Sequence, residues 1–461
     1  MREVNLSSLE VNSITSQEYY SQDGELLISK DVTITQKHLE ALQRRNIYTV
    51  YTKDSEEDEL QQLLSKEYKL DELDLQESPD ETSNFEEEPP KALDLPEFKN
   101  IKSGQEGLEQ LMMSKKAADV DNTLRKGALP DRPVGPALSD KATDMTPSQR
   151  TAEYKNEVSN SYTGAVQSVR NILRSVADGH NIDGSQIRQI VSTFVKKFIT
   201  DKNILLNISN TKPVDKDYLY NHSLNVCLIA INIAASVGFS EEQVVEIGMG
   251  ALLHDIGMLL IPFSIRNKKG KFNQDEWFEV QKHPILGLHL LECITRLPHS
   301  VPIVAYQSHE RENGRGYPKR RSKRLIHNYA KIVQIADVFE ALSSPRPYRD
   351  PHIPYKAMEF SIKMTKQGLI SGEFVRAFLM YASLFPVGSL IELSTRQVSK
   401  VVQANGASFA KPQISVLTDE HGNLLPPGEI YQEDLSKNTA IQIVKAHPLD
   451  HLADVNIMDG F

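Results

Sequence analysis

The chain reads as a mainly α protein: a helical bundle with a small α/β module before it and a small β appendage after it. Three observations lead there. Between residues 148 and 385, apolar residues recur at three- and four-residue steps. Before residue 53, two short β-type runs bracket one amphipathic stretch. After Pro386 the helical texture gives way to short runs rich in β-branched residues.

Taken in order, residues 1–53 form the α/β module. Glu25–Ser29 and Ile47–Thr52 are expected strands, and Thr35–Arg45 is an expected helix with Leu39 and Leu42 on one face. Residues 54–147 read as an acidic, largely disordered linker, with Leu60, Leu63 and Leu64 as a short apolar cluster suited to a docking helix. The bundle, 148–385, is expected to use helices over Arg150–Val176, Ser185–Ile199 and Asn221–Ala235. A further helix opens on the capping box Ser240-Glu241-Glu242-Gln243 and runs into His254-Asp255. Trp277–Ile294, Leu325–Leu342 and Tyr355–Gln367 continue the pattern. In the appendage, 386–461, strands are expected at Leu390–Ser394, Lys400–Gln403 and Gln413–Leu417, with a turn at Asp419–Gly422.

Composition narrows the function classes. The chain has 461 residues, 25% of them charged and 39% hydrophobic, as in a soluble protein of two or three domains. Cys227 and Cys293 are its two cysteines, which excludes a disulfide framework or a thiolate metal cluster and fits a reducing cytoplasm. The N-terminus lacks a signal-peptide pattern, and the apolar run Val226–Phe239 is too short to span a bilayer. The net charge of −10 is unevenly placed. Between Asp54 and Phe98 stand 17 acids and 3 bases, a local −14, so the remainder carries +4. A mildly basic body suits a small anionic substrate; the acidic segment reads as a solvated linker and a candidate contact for a protein partner. No DNA partner is expected, and the chain suits a homodimer as well as a monomer.

The chemistry gathers on histidine and aspartate. His254-Asp255 sits in Gly250-Ala251-Leu252-Leu253-His254-Asp255-Ile256-Gly257, where an imidazole beside a carboxylate is unfavourable unless something offsets desolvation. A buried metal would do so. His222 precedes Leu224, Val226 and Leu228; His283 precedes Pro284; His309-Glu310 precedes a glycine-rich loop; Asp337 interrupts an apolar run. Taken singly, each is an ordinary core histidine or a buried carboxylate with an arginine partner.

Together these blocks resemble the HD-GYP family of cyclic di-GMP phosphodiesterases, a branch of the HD-domain metallohydrolases. The likeness rests on the His254-Asp255 block, Asp275-Glu276-Trp277 with Lys282-His283-Pro284, His309-Glu310-Arg311, Gly316-Tyr317-Pro318, and Ile335 to Leu342 leading to Arg346-Pro347-Tyr348-Arg349. The resemblance implies an HD-type bundle. It also implies two divalent transition-metal ions, iron or manganese, with zinc compatible with the same ligands. His222, His254, Asp255 and Asp337 would hold one metal, and Asp255 would bridge to a second held by His283 and His309. His254 and Asp255 would be the catalytic pair. Gly316, Tyr317, Arg346 and Arg349 would contact the substrate, the arginines through its phosphates.

Four positions depart from the family pattern. Ser308 stands where a second adjacent histidine is usual, and Met258 where a lysine follows the His-Asp block. Tyr218 occupies the site of a third-metal glutamate, and Asn313 that of an aspartate. Two readings therefore remain open. One is hydrolysis of cyclic di-GMP to linear pGpG, with GMP as an optional further product. The other is a catalytically degenerate module that binds cyclic di-GMP or a protein and relays the state.

Overall fold

The computed structural model describes residues 2–6, 19–21, 26–28, 32–45, 47–52, 96–126, 131–143, 145, 149–205, 218–268, 270–344, 354–405, 408–426, 428–438 and 440–447. The chain divides into two compact units, Met1–Glu72 and Leu73–Phe461.

In the first unit, strands β1 (Arg2–Asn5), β2 (Tyr19–Tyr20), β3 (Leu26–Ile28) and β4 (Thr49–Thr52) form an antiparallel sheet of order β1-β4-β2-β3. Helix α1 (Gln36–Arg44) begins at the N-cap Thr35, whose hydroxyl accepts from the His38 amide. Leu39 and Leu42 face Leu6, Tyr19, Ile28, Ile34 and Val50, so the helix stripe and one sheet face make a single small core.

The second unit is mainly α. Its early helices, α2 (Pro96–Lys99), α3 (Gly104–Met112) and α4 (Lys115–Arg125), fall inside the stretch expected to be disordered. That expectation fails here because Leu108, Leu111 and Ala117 bury against the bundle and charged groups tie the segment down. Lys282 Nζ donates to the Lys102 carbonyl at 2.8 Å, Glu279 accepts from the Gly104 amide at 2.6 Å, and Lys319 Nζ donates to the Met112 carbonyl at 2.7 Å. The expected docking helix near Leu60 lies outside the described residues.

The bundle continues with α5 (Ala152–Ala177), α6 (Ser185–Thr200), α7 (Tyr218–Val237), α8 (Glu241–Leu253), α9 (Phe263–Arg266), α10 (Gln274–Gln281), α11 (His283–Leu291), α12 (Ser300–Gln307), α13 (Asn328–Ser343), α14 (Pro354–Lys366) and α15 (Gly372–Ala382). Helix α7 is buried from Leu219 to Ala235, the central position that a helix apolar on all sides requires. The capping box at Ser240 starts α8 as its sequence predicts. The single helix expected over Trp277–Ile294 is instead two, α10 and α11. Pro284 enters at the first turn of α11, where its missing amide costs nothing, but it could not continue α10. Among the described residues, one helical stretch, Glu241–Leu260, is long and apolar enough to cross a membrane; it is 89% buried inside the bundle.

The C-terminal sheet follows. Strands β5 (Ile182–Asp183) and β6 (Ile294–Thr295) make a short parallel pair within the bundle. Strands β7 (Leu390–Leu393), β8 (Val398–Gln403), β9 (Gln413–Val416), β10 (Tyr431–Asp434) and β11 (Ile443–His447) form an antiparallel sheet of order β10-β9-β8-β7-β11. The two edge strands, polar β10 and mixed β11, are more exposed than the inner three, as sheet edges are.

Candidate metal centre

Five helical elements deliver the candidate ligands to one point. His222 comes from the first turns of α7, and His254 and Asp255 from the end of α8. His283 is the first residue of α11, His309 follows α12, and Asp337 lies on α13. Asp255 is the hub. Its carboxylate lies 3.6 Å from His222 Nε2, 3.3 Å from His254 Nε2, 3.2 Å from His283 Nε2 and 3.0 Å from His309 Nε2. Asp337 closes the other side, 3.5 Å from His222 Nε2 and 3.9 Å from both His254 Nε2 and His309 Nδ1.

The surrounding hydrogen bonds leave the Nε2 atoms facing inward. His254 Nδ1 is 2.7 Å from the Ala251 carbonyl, and His283 Nδ1 is 2.7 Å from the Val280 carbonyl. A carbonyl can only accept, so Nδ1 carries a proton, and in the neutral ring it is Nε2 that keeps a lone pair for a metal. Both of those Nε2 atoms are buried and lack a hydrogen-bond partner. His222 Nδ1 pairs with Glu340, one turn after Asp337 on α13. Glu340 is itself braced by Asn225, which accepts from the Tyr162 hydroxyl at 2.9 Å.

The electrostatics suit the same reading. Burial works against the Asp255 carboxylate, but His254 and His283 more than offset it and hold the group well below the usual range. Burial pushes the His309 imidazole down to about 4, so it is neutral near pH 7. The donor atoms fall into three overlapping sets: His222, His254 and Asp255; His254, His309 and Asp337; and Asp255, His283 and His309. Orphaned, buried, inward-facing imidazole nitrogens beside two carboxylates fit divalent transition metals better than a solvated salt-bridge cluster.

Two glycines allow the convergence. A Cβ at Gly257 would stand 2.0 Å from the His283 carbonyl, so only glycine lets the turn after Asp255 press against the start of α11. A Cβ at Gly316 would lie 2.4 Å from the Arg311 amide and the His309 carbonyl. The loop therefore folds back on His309, and the Tyr317 amide donates to the His309 carbonyl at 3.1 Å. The Tyr317 ring lies parallel to His309, centroids 5.0 Å apart, and meets His283 edge-on. Burial, then the nearby Asp255 charge, push the Tyr317 phenol well up, so it stays neutral. Buried Glu310 anchors the loop by accepting from the Lys319 amide at 2.8 Å and the Arg321 amide at 2.7 Å.

His222, His254, Asp255, His283, His309 and Asp337 are thus brought together, with Gly316 and Tyr317 against them. Arg346 and Arg349 lie outside the described residues. Ser308 is fully buried, and its hydroxyl donates to the Ala305 carbonyl at 3.3 Å. Met258 is buried in the turn after Asp255, and the Tyr218 ring stands 6.5 Å from His222. Glu340 and Glu310 stand inside blocks that carry the resemblance, but the sequence alone gives them no role. Their signal is a carboxylate within an apolar or glycine-flanked block, three residues after Asp337 in one case and directly after His309 in the other.

Residues 197–372, which carry the His254-Asp255 pair, three further converging histidines and Asp337, match the HD domain family. The blocks around His254-Asp255 and Gly316-Tyr317-Pro318 within this stretch are the ones that resemble the HD-GYP branch. Residues 390–454 match the KOW domain associated with HD domain. The chain is 29% identical to a cyclic di-GMP phosphodiesterase of Pseudomonas aeruginosa over 58% of its own length and 64% of the relative's. It is 41% identical to the cyclic di-GMP phosphodiesterase response regulator RpfG of Xanthomonas campestris, over 26% of this chain and 32% of that one. It is also 30% identical to a 3′3′-cGAMP-specific phosphodiesterase of Vibrio cholerae, over 41% and 37%. It therefore spans less than two thirds of each of these relatives. Among solved structures, an HDGYP protein of Bdellovibrio bacteriovorus matches with a TM-score of 0.39 at 14% identity, covering 82% of this chain and 97% of that one.

Proposed function

We propose that the chain is a metal-dependent phosphodiesterase that opens cyclic di-GMP to linear pGpG, with GMP as a further product. The observation that carries this reading is one carboxylate, Asp255, within 3.6 Å of four imidazole Nε2 atoms. A carboxylate so placed suits a bridge between two ions. His222, His254, Asp255 and Asp337 would hold one, and Asp255, His283 and His309 the other; iron or manganese suit these N/O donors. Such ions, when bound, supply Lewis-acid polarisation of a phosphodiester and acidify water. The protein's own part is orientation. Glu340 and the Ala251 and Val280 carbonyls hold His222, His254 and His283 with Nε2 inward. Neutral Tyr317 shields His309 from water on its outer face. Arg346 and Arg349 are proposed to bind the substrate phosphates.

The relatives act, by name, on cyclic di-GMP or on 3′3′-cGAMP, which supports cyclic dinucleotides as the substrate class. We place the reaction in the cytoplasm, with the acidic N-terminal segment as the contact for a protein partner and the chain able to pair with itself. The degenerate-sensor reading draws on Ser308, whose hydroxyl is spent on its own helix, and on Met258, which offers no charge. The test is anaerobic reconstitution with ferrous iron or manganese, with hydrolysis and binding of cyclic di-GMP followed on one sample. Conversion to pGpG is expected. Binding without conversion would select the sensor, and neither would reject cyclic di-GMP as the ligand.

A further inference from the structure

The row of rings at the metal centre does not end at Tyr317. Trp277 meets Tyr317 edge-on, centroids 5.6 Å apart, and Phe272 lies nearly parallel to Trp277 at 6.4 Å. Burial changes along this row. His309 is 9% exposed, whereas Trp277 is 42% exposed and Phe272 36%. Trp277 and Phe272 together leave two adjacent aromatic faces open beside the centre, an apolar patch available to a ligand.

Its placement is fixed by local structure. Asn273 caps α10 through the Glu276 amide at 2.9 Å, and the Trp277 amide bonds the Asn273 carbonyl at 2.9 Å. Glu276 also pairs with Lys268, which ties the connecting loop to the helix just before Trp277. The backbone that carries Trp277 is therefore fixed, and the indole meets Tyr317 at near right angles.

We propose that Trp277, backed by Phe272, is a stacking platform for one purine base of the cyclic dinucleotide. This rests on the substrate reading above. In a nucleotide the base is joined to its phosphate through a single ribose. A phosphate at Asp255 thus places a base one sugar's length outward, on the side where the rings step from His309 through Tyr317 to Trp277. Purines have extended π faces that stack on indole without sequence-specific hydrogen bonds. Loss of such a platform weakens substrate capture and leaves the reacting atoms in place.

Trp277 is the chain's single tryptophan, so its fluorescence reports on this position alone. The metal-reconstituted full chain is mixed rapidly with cyclic di-GMP, and a saturable quench is expected before product forms. In steady state, Trp277→Ala is expected to raise KM for cyclic di-GMP about tenfold or more with a far smaller change in kcat. Trp277→Phe should recover most of the loss. Bis(p-nitrophenyl) phosphate, which has no purine, should suffer several-fold less from the alanine variant. The platform is overturned if wild-type protein hydrolyses cyclic di-GMP without a quench, or if Trp277→Ala depresses both substrates equally through kcat, the mark of a prop for Tyr317. If wild-type protein cleaves the nitrophenyl ester but neither binds nor hydrolyses cyclic di-GMP, the substrate reading falls and the platform with it. A quench without hydrolysis upholds the platform and rejects turnover.

Discussion

The two sides of the candidate metal centre reach the same Asp255 by different means. On one side His222 and Asp337 stand on long buried helices, and Glu340, one turn from Asp337, orients His222. On the other side His309 follows a short helix, and its position depends on a loop folded back at Gly316, a ring stacked on it, and Glu310 accepting two amides. The helical side is fixed by packing that spans the whole bundle. The loop side is fixed by a few contacts, some of them from distant chain: Lys319 reaches Met112, and Arg321 pairs with Asp121. Ser308, one of the departures from the family pattern, falls on this second side.

The largest expected effect belongs to the residue shared by both sides. Asp255→Ala should abolish hydrolysis and strip bound metal, measured by product formation and elemental analysis; retained activity would point to a different site. Next come the two braces. Glu340→Gln should lower metal affinity or turnover by roughly 10- to 100-fold, the usual cost of losing the carboxylate behind a ligating histidine. Glu310→Ala should act on the loop instead, with a loss of about 1–3 kcal/mol in stability from orphaned amides, read by denaturant unfolding. If Glu310→Ala reduced metal affinity as much as Glu340→Gln while leaving stability intact, the contrast between the sides would not hold. A smaller gain is expected from Ser308→His combined with Met258→Lys, which adds an imidazole and a cation where the family has them. Turnover should rise, and no gain would mean that the native loop side is already complete.

The mildest signature is in pH. Burial raises the Glu310 carboxyl to about 7, partly opposed by the amides of Lys319 and Arg321. A carboxyl held above its unfolded value of 4.5 favours the fold in its neutral form. That contribution is full below about pH 4.5 and is lost as pH rises through about 7. Glu310→Gln should flatten this part of the stability profile, measured by urea unfolding between pH 5 and 8. An unchanged slope would place the titrating group elsewhere.

Much of the site was legible because its ligands break strong patterns. His254-Asp255 and Asp337 interrupt apolar runs that would otherwise be plain core, and it was the resemblance of the blocks to a known family that named six candidate ligands. Glu340 escaped notice because an acid three residues after another on a helix ordinarily reads as a solvated face. Helices α3 and α4 escaped because the acidic stretch before them reads as linker, although Leu108 and Leu111 stand at helical spacing. Their order comes from Lys282, Lys319 and Arg321, which lie far along the chain. The split between α10 and α11 was readable in Pro284, whereas β10 is a short polar run with no apolar face to announce it.

The central claim is a two-ion centre bridged by Asp255. Protein reconstituted anaerobically with manganese or ferrous iron, freed of loose metal and analysed for metal per chain, tests it most directly. Close to two ions per chain are predicted, falling toward one in His283→Ala, which spares the helical side. One ion or none in the unaltered protein would contradict the claim.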